Sequence, residues 1–184
     1  ETQKRIVGGD PAGLGDYPSF VVTAGGRLCG GTVIHPDVIL TAAHCKGAFL
    51  DGILYGGVLI SGDDGTYVGV NSELPHPEYD ADTDAKDIML VKLSSATSAP
   101  IQEINFNPNL PPDGAEMTVI GYGRTAESGT VSDVLLEVQV DVFDFETCNG
   151  RYGKIIGMEM ICAGGKEGKD SCQGDSGMKP KSSS

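Results

Sequence analysis

Thr32-Val33-Ile34-His35-Pro36-Asp37-Val38-Ile39-Leu40-Thr41-Ala42-Ala43-His44-Cys45 is the stretch that decides the fold class. It holds two short runs of β-branched and aliphatic residues, Thr32-Val33-Ile34 and Val38-Ile39-Leu40, separated by turn residues. Such residues suit a pleated, half-buried strand, and Pro and Asp between them punctuate the chain. The same unit recurs in both directions. Phe20-Val21-Val22 precedes it, and Tyr67-Val68-Gly69-Val70 and Ile88-Met89-Leu90-Val91-Lys92-Leu93 follow. Met117-Thr118-Val119-Ile120 and Leu136-Glu137-Val138-Gln139-Val140 come later, the last with apolar–polar alternation. Short strands at this spacing predict an all-β protein, an antiparallel sandwich or barrel. No segment carries a long helical period; Asp144-Phe145-Glu146-Thr147-Cys148 reads as one short helix capped by Asp144.

Composition agrees with this class. The 184 residues include 27 Gly and 10 Pro, which favours a loop-rich β protein over a helical bundle. Hydrophobic content of 39% and charged content of 21% describe a globular chain able to bury a core. The formal net charge is −13, and no basic patch is present that could neutralise phosphate, so nucleic acid is not an expected partner. No apolar run is long enough to span a membrane. Asn105 to Asp113, rich in Pro and Asn, reads as a connector between two β modules, and the tail from Lys179 to Ser184 as a disordered end. The opening Glu1-Thr2-Gln3-Lys4-Arg5 lacks a Met and a leader, as in a processed product or a fragment.

The five cysteines, Cys29, Cys45, Cys148, Cys162 and Cys172, match no zinc spacing. Two pairs of near neighbours suggest two disulfides and an oxidising compartment. Each would close a loop of about fifteen residues, worth roughly 3 kcal/mol in the loop-entropy description. One cysteine is left over.

Three histidines limit the choice of a general base. His35 and His76 each precede a proline in turn-like surroundings and read as structural or surface residues. His44 ends an apolar strand beside a cysteine, where a disulfide would hold its backbone rigid, as a general base requires. Gly174-Asp175-Ser176-Gly177 surrounds a serine with glycines, so the chain can turn tightly and point consecutive N–H groups outward. Asp87 heads a nearly all-apolar strand. A partly buried carboxylate there needs a partner, and an imidazole N–H is a good one; a strand-start cap is the plainer role. Ser61-Gly62-Asp63-Asp64-Gly65 could be considered for calcium, but its spacing is not that of a calcium loop, and it reads as a turn.

Ile6-Val7-Gly8-Gly9, Thr41-Ala42-Ala43-His44-Cys45, Asp87-Ile88-Met89-Leu90 and Gly174-Asp175-Ser176-Gly177 together resemble, in order and spacing, the chymotrypsin/trypsin family of serine proteases. Gly121-Tyr122-Gly123 is similar to that family's Gly-aromatic-Gly strand. The resemblance implies two antiparallel Greek-key β-barrels: an activation-peptide remnant at 1–5, a barrel at 6–110 with His44 and Asp87, and an incomplete barrel at 111–184 with Ser176. It implies Ser176 as nucleophile, His44 as general base and Asp87 as the residue that orients it. Gly174 and Ser176 would supply the oxyanion N–H groups. Asp170, with Ser171 beside it, would floor a pocket selective for Arg or Lys. Cleavage after Arg5 would free Ile6 to pair with Asp175, converting a zymogen into an enzyme. Cys29 would bond to Cys45 and Cys148 to Cys162, leaving Cys172 unpaired. No metal or cofactor is implied. The expected partners are protein or peptide substrates and protein inhibitors, for a secreted, extracellular monomer.

The resemblance runs from Ile6 to Gly177, after which the family continues for some tens of residues with the partner of the cysteine before the nucleophile. A chain ending at Ser184 is therefore expected to be a weak or inactive endopeptidase, and a secreted, non-catalytic binding homologue is the alternative reading.

Overall fold

The computed structural model describes residues 9–106, 109, 111–123, 130–146, 149 and 160–164. Its strands are β1 (Asp10–Pro11), β2 (Phe20–Thr23), β3 (Gly30–His35), β4 (Val38–Thr41), β5 (Ile53–Tyr55), β6 (Thr66–Val68), β7 (Val70–Pro75), β8 (Met89–Leu93), β9 (Glu116–Gly121), β10 (Leu136–Phe143) and β11 (Cys162–Gly164). Helical geometry among the described residues is limited to the turn Ala43–Cys45 and to Phe145, Glu146 and Asn149. Of the short helix expected at 144–148, Thr147 and Cys148 lie outside the described residues. No described helix is long and apolar enough to cross a membrane.

The described residues form an all-β fold. Seven strands form one curled sheet in the order β6-β5-β2-β3-β4-β8-β7, with every neighbouring pair antiparallel. Strands β2, β3 and β4 follow one another, and the chain then crosses back so that β5 lies beside β2. That order, 5-2-3-4, is a Greek key. The inner face packs Val21, Val33, Ile39, Phe49, Ile53, Met89 and Val91, none more than 1% exposed. Full burial of such side chains stabilises by roughly 1.5–3 kcal/mol each, which is why register here is tightly specified. Gly31 is required by that packing: a Cβ there would meet Ile39 Cγ2 at 2.5 Å and the Leu40 carbonyl at 3.1 Å.

The second sheet centres on β10, which pairs with β9 along one edge and with β1 and β11 along the other. The alternation expected at 136–140 runs on to Phe143: Leu136, Val138, Val140 and Val142 are buried, and the residues between them are not. A third apolar cluster joins the two sheets through Ala12, Val22, Tyr122 and Leu135, with Phe20 and Tyr122 rings 6.4 Å apart. Backbone bonds from Leu135 N to Val58 O at 2.8 Å and from Ile60 N to Asp133 O at 3.0 Å stitch the same seam.

One strand expectation is corrected. Tyr67-Val68-Gly69-Val70 is not one strand, because the chain breaks at Gly69 into β6 and β7, which lie at opposite ends of the sheet order. The carbonyl of Gly69 accepts from Ser94 N, one step beyond the Val70–Leu93 pair, so Gly69 goes with the β7–β8 pairing and not with β6. Strands β1, β5 and β11 carry too short a signal to be read from sequence. Although nearly all-apolar, β8 is buried on one face only: Met89, Val91 and Leu93 are inside, while Leu90 is exposed. Asn105, Phe106, Asn109, Pro111 and Pro112 of the connector are in neither helix nor strand. In the 61–65 turn, Asp64 accepts from the N–H groups of Val58 and Leu59, and Asp63 accepts from Ser61 Oγ.

Candidate active site

Strand β4 delivers His44. Its last residue, Thr41, is buried, and its hydroxyl donates to the Gly30 carbonyl at 2.7 Å, satisfying a polar group that would otherwise be costly inside. The chain then tightens into the turn Ala43–Cys45, closed by Cys45 N to Ala42 O at 3.1 Å and Lys46 N to Ala43 O at 3.0 Å. Ala42 and Ala43 are buried against the core, where a larger side chain would lift the turn away. The disulfide Cys29–Cys45, spanning 6.1 Å between Cα atoms, ties the turn to the start of β3. From the far side, Glu73 on β7 accepts from Gly47 N at 2.7 Å and Phe49 N at 3.1 Å, fixing the segment that follows.

Asp87 arrives from the loop between β7 and β8. That loop folds on itself: Asp80 N donates to Ala85 O at 3.0 Å, and the Asp80 carboxylate accepts from Asp82 N and Thr83 Oγ1, both at 2.9 Å. Asp84 and Lys86 sit at φ of 56° and 57°, a left-handed conformation that costs a β-carbon residue on the order of 1 kcal/mol. A three-residue turn with Ile88 N on Lys86 O at 2.7 Å then centres on Asp87. These bends carry the carboxylate under the histidine.

The result is a double contact. Asp87 Oδ2 lies 2.6 Å from His44 Nδ1, and Asp87 Oδ1 accepts from the His44 backbone N–H at 2.8 Å. A carboxylate only accepts, so Nδ1 carries the proton and the neutral ring keeps its lone pair on Nε2. Because one carboxylate holds both ring and backbone of the same residue, the imidazole's orientation is fixed as well as its tautomer. The side chains are 25% and 16% exposed, enclosed enough for the contact to persist and open enough for the ring to be reached. Nearby, burial and the charges of Asp87 and Asp84 push the Tyr79 hydroxyl's pKa up. The Arg27 guanidinium donates to the His44 carbonyl. An imidazole held this way can take a proton from a hydroxyl placed at Nε2 and return it.

His44 and Asp87 are thus brought together across 43 residues of chain. Arg5, Ile6, Cys148, Asp170, Ser171, Cys172, Gly174, Asp175 and Ser176 lie outside the described residues. Cys162 is disulfide-bonded, and its expected partner Cys148 is among those outside. The sulfurs of Cys29 and Cys45 and a nitrogen of His44 lie within 4.8 Å of one another, but the sulfurs are joined in the disulfide and offer no thiolate to a metal. His35 bonds to Asp37 and His76 Nδ1 accepts from Glu78 N, both at the surface. Arg27, Glu73 and Tyr79 escaped the sequence reading. Arg27 bonds to the turn and Glu73 to the segment after it, while Tyr79 bonds to Asp84 in the loop that carries Asp87; no local pattern encodes these contacts.

The family model described as "Trypsin" matches residues 6–178. The chain is 35% identical over 182 residues to "Trypsin" of Saccharopolyspora erythraea, covering 94% of this chain and 79% of that protein. It is 38% identical over 185 residues to "Hypodermin-B" of Hypoderma lineatum, covering 94% and 71%, and 33% identical over 189 residues to "Trypsin theta" of Drosophila melanogaster, covering 96% and 72%.

Proposed function

The chain belongs to the trypsin family, a serine endopeptidase by descent, and from that premise we propose that it cleaves peptide bonds after Arg or Lys using Ser176, His44 and Asp87. The observation that carries this reading is the double contact of Asp87 on His44. It gives the imidazole a fixed tautomer with Nε2 available, and the sequence offers Ser176, within Gly174-Asp175-Ser176-Gly177, as the hydroxyl for it.

In the proposed reaction Ser176 Oγ attacks the scissile carbonyl as its proton passes to His44 Nε2. Asp87 stabilises the imidazolium that forms. The N–H groups of Gly174 and Ser176 hold the oxyanion, and His44 then protonates the leaving amine. Water repeats the sequence in reverse roles to release the acyl group. Asp170, beside Ser171, supplies a carboxylate for a substrate guanidinium or ammonium, where charge complementarity in a desolvated pocket discriminates strongly. The sequence Arg5-Ile6-Val7-Gly8-Gly9 supports activation by cleavage after Arg5, the Ile6 amine then pairing with Asp175. The Cys29–Cys45 disulfide supports a secreted protein, since oxidising compartments preserve such bonds.

The test is hydrolysis of chromogenic amides by the chain after cleavage at Arg5. Arginyl and lysyl amides are expected to turn over and leucyl amides not, with loss of turnover in Ser176→Ala. Turnover that survives Ser176→Ala, or none on any amide, overturns the proposal.

A further inference from the structure

Arg27 occupies the turn between β2 and β3, and its backbone is unusually well held for an exposed residue. The buried Thr23 hydroxyl donates to the Arg27 carbonyl at 3.0 Å and accepts from Cys29 N at 3.2 Å, while Thr23 N donates to Cys29 O at 3.0 Å. Two residues further on, Cys29 is bonded covalently to Cys45, the neighbour of His44. The β2–β3 turn is therefore braced against the histidine turn, and the guanidinium donates to the His44 carbonyl across 17 residues of chain.

The charged and titratable groups around His44 come from several elements. Asp87, Asp84 and Tyr79 come from the β7–β8 loop, with Tyr79 feeling Asp87, Asp84 and Arg27. Glu73 of β7 holds the segment after the turn, Lys46 follows Cys45 on the turn itself, and Arg27 faces it from the β2–β3 turn. Asp87 brings a negative charge to the ring, and Arg27 brings a positive one that persists at all working pH values.

We propose that Arg27 is a positioning residue: its guanidinium, docked on the His44 carbonyl, holds the histidine turn together with Asp87 and keeps a permanent positive charge on the residue that carries the imidazole. The catalytic consequence rests on the protease reading above; the electrostatic one does not. A base must be neutral to accept a proton, so a charge that resists early protonation extends activity toward lower pH.

The experiment follows the imidazole directly. Only three histidines are present, so NMR titration of the full chain resolves them, with His35→Gln and His76→Gln for assignment. Arg27→Gln keeps an N–H donor and loses the charge. Its His44 midpoint is expected to rise by about half a pH unit, the size of a Coulomb interaction over several ångströms at a water-exposed site. Arg27→Lys keeps the charge and is expected to restore most of that shift. The acid limb of kcat/KM should move upward in parallel with KM little changed. An unmoved His44 midpoint in Arg27→Gln, or equal shifts in the Gln and Lys variants, overturns the proposal. If Arg27→Gln folds poorly, Arg27→Met, which keeps the aliphatic stem and drops the charge, should raise the midpoint by a similar amount, and an unmoved midpoint there also overturns the proposal. A shifted midpoint in a chain that hydrolyses no amide supports the arrangement and counts against the protease reading instead.

Discussion

The first sheet holds two histidine–aspartate contacts of nearly equal length. His35 Nδ1 lies 2.7 Å from Asp37 Oδ1, and His44 Nδ1 lies 2.6 Å from Asp87 Oδ2. The first pair is two residues apart at a strand end, with His35 65% exposed and the other Asp37 oxygen taken by Lys92. The second pair spans 43 residues, its histidine is 25% exposed, and the other Asp87 oxygen takes the same histidine's N–H. Equal distance therefore does not make the two pairs equivalent. In the first, the ring bonds to a carboxylate that Lys92 shares, and solvent competes for both. In the second, ring and backbone are clasped together by one carboxylate, on a turn fixed by a disulfide, Glu73 and Arg27.

The comparison breaks most sharply by amide substitution. Asp87→Asn replaces the acceptor with a group that stabilises the wrong tautomer. It should cost about 10⁴-fold in kcat, the loss known for this change in serine-protease triads, while Asp37→Asn changes kcat less than two-fold. Steady-state kinetics on an arginyl amide reads both, and equal losses would erase the distinction. A smaller effect separates the scaffolds. Cys29→Ala with Cys45→Ala opens a loop whose ends are 16 residues apart and should cost about 3 kcal/mol by urea denaturation, with the histidine turn loosened. Retention of full stability would mean that the flanking hydrogen bonds suffice. The smallest effect lies at the exposed pair. Lys92 first, then His35, hold the Asp37 carboxyl below its ordinary value of 3.8. A depressed carboxyl contributes stability that is present above that value and is lost as pH falls through the lower, folded one. Asp37→Asn should therefore lower thermal stability slightly at neutral pH and converge with the wild type below about pH 4, which flattens the acid limb. An unchanged acid limb would show that this pair is electrostatically idle.

Much of the fold was legible in the chain. Phe20 to Val22, Thr32 to Ile34, Val38 to Leu40 and the alternation from Leu136 to Val140 announce strands because their side chains fit a pleated surface. The break at Gly69 was not legible, since Tyr67 to Val70 has unbroken strand character and only the distant Ser94 claims the Gly69 carbonyl. Nor was β5, whose three residues become a strand by lying between β2 and β6. At the site, His44 stood out because it ends an apolar strand beside a cysteine whose disulfide would hold it rigid, and Asp87 because a carboxylate heading an apolar strand needs a partner. Arg27 and Glu73 gave no local sign, because surface charges look alike until the neighbouring turn is known.

By itself the sequence determined the chemical parts: the all-β class, the residues able to act as base, orienting acid and nucleophile, and the cysteines able to staple them. The tertiary structure decided which parts meet. Pairing of β4 with β8 sets Thr41 opposite Met89, and from that register His44 and Asp87 leave adjacent strands side by side. The physical reason is that a hydrogen-bonded register between strands fifty residues apart is fixed by burial of a whole face, whereas a side chain's identity is fixed one residue at a time.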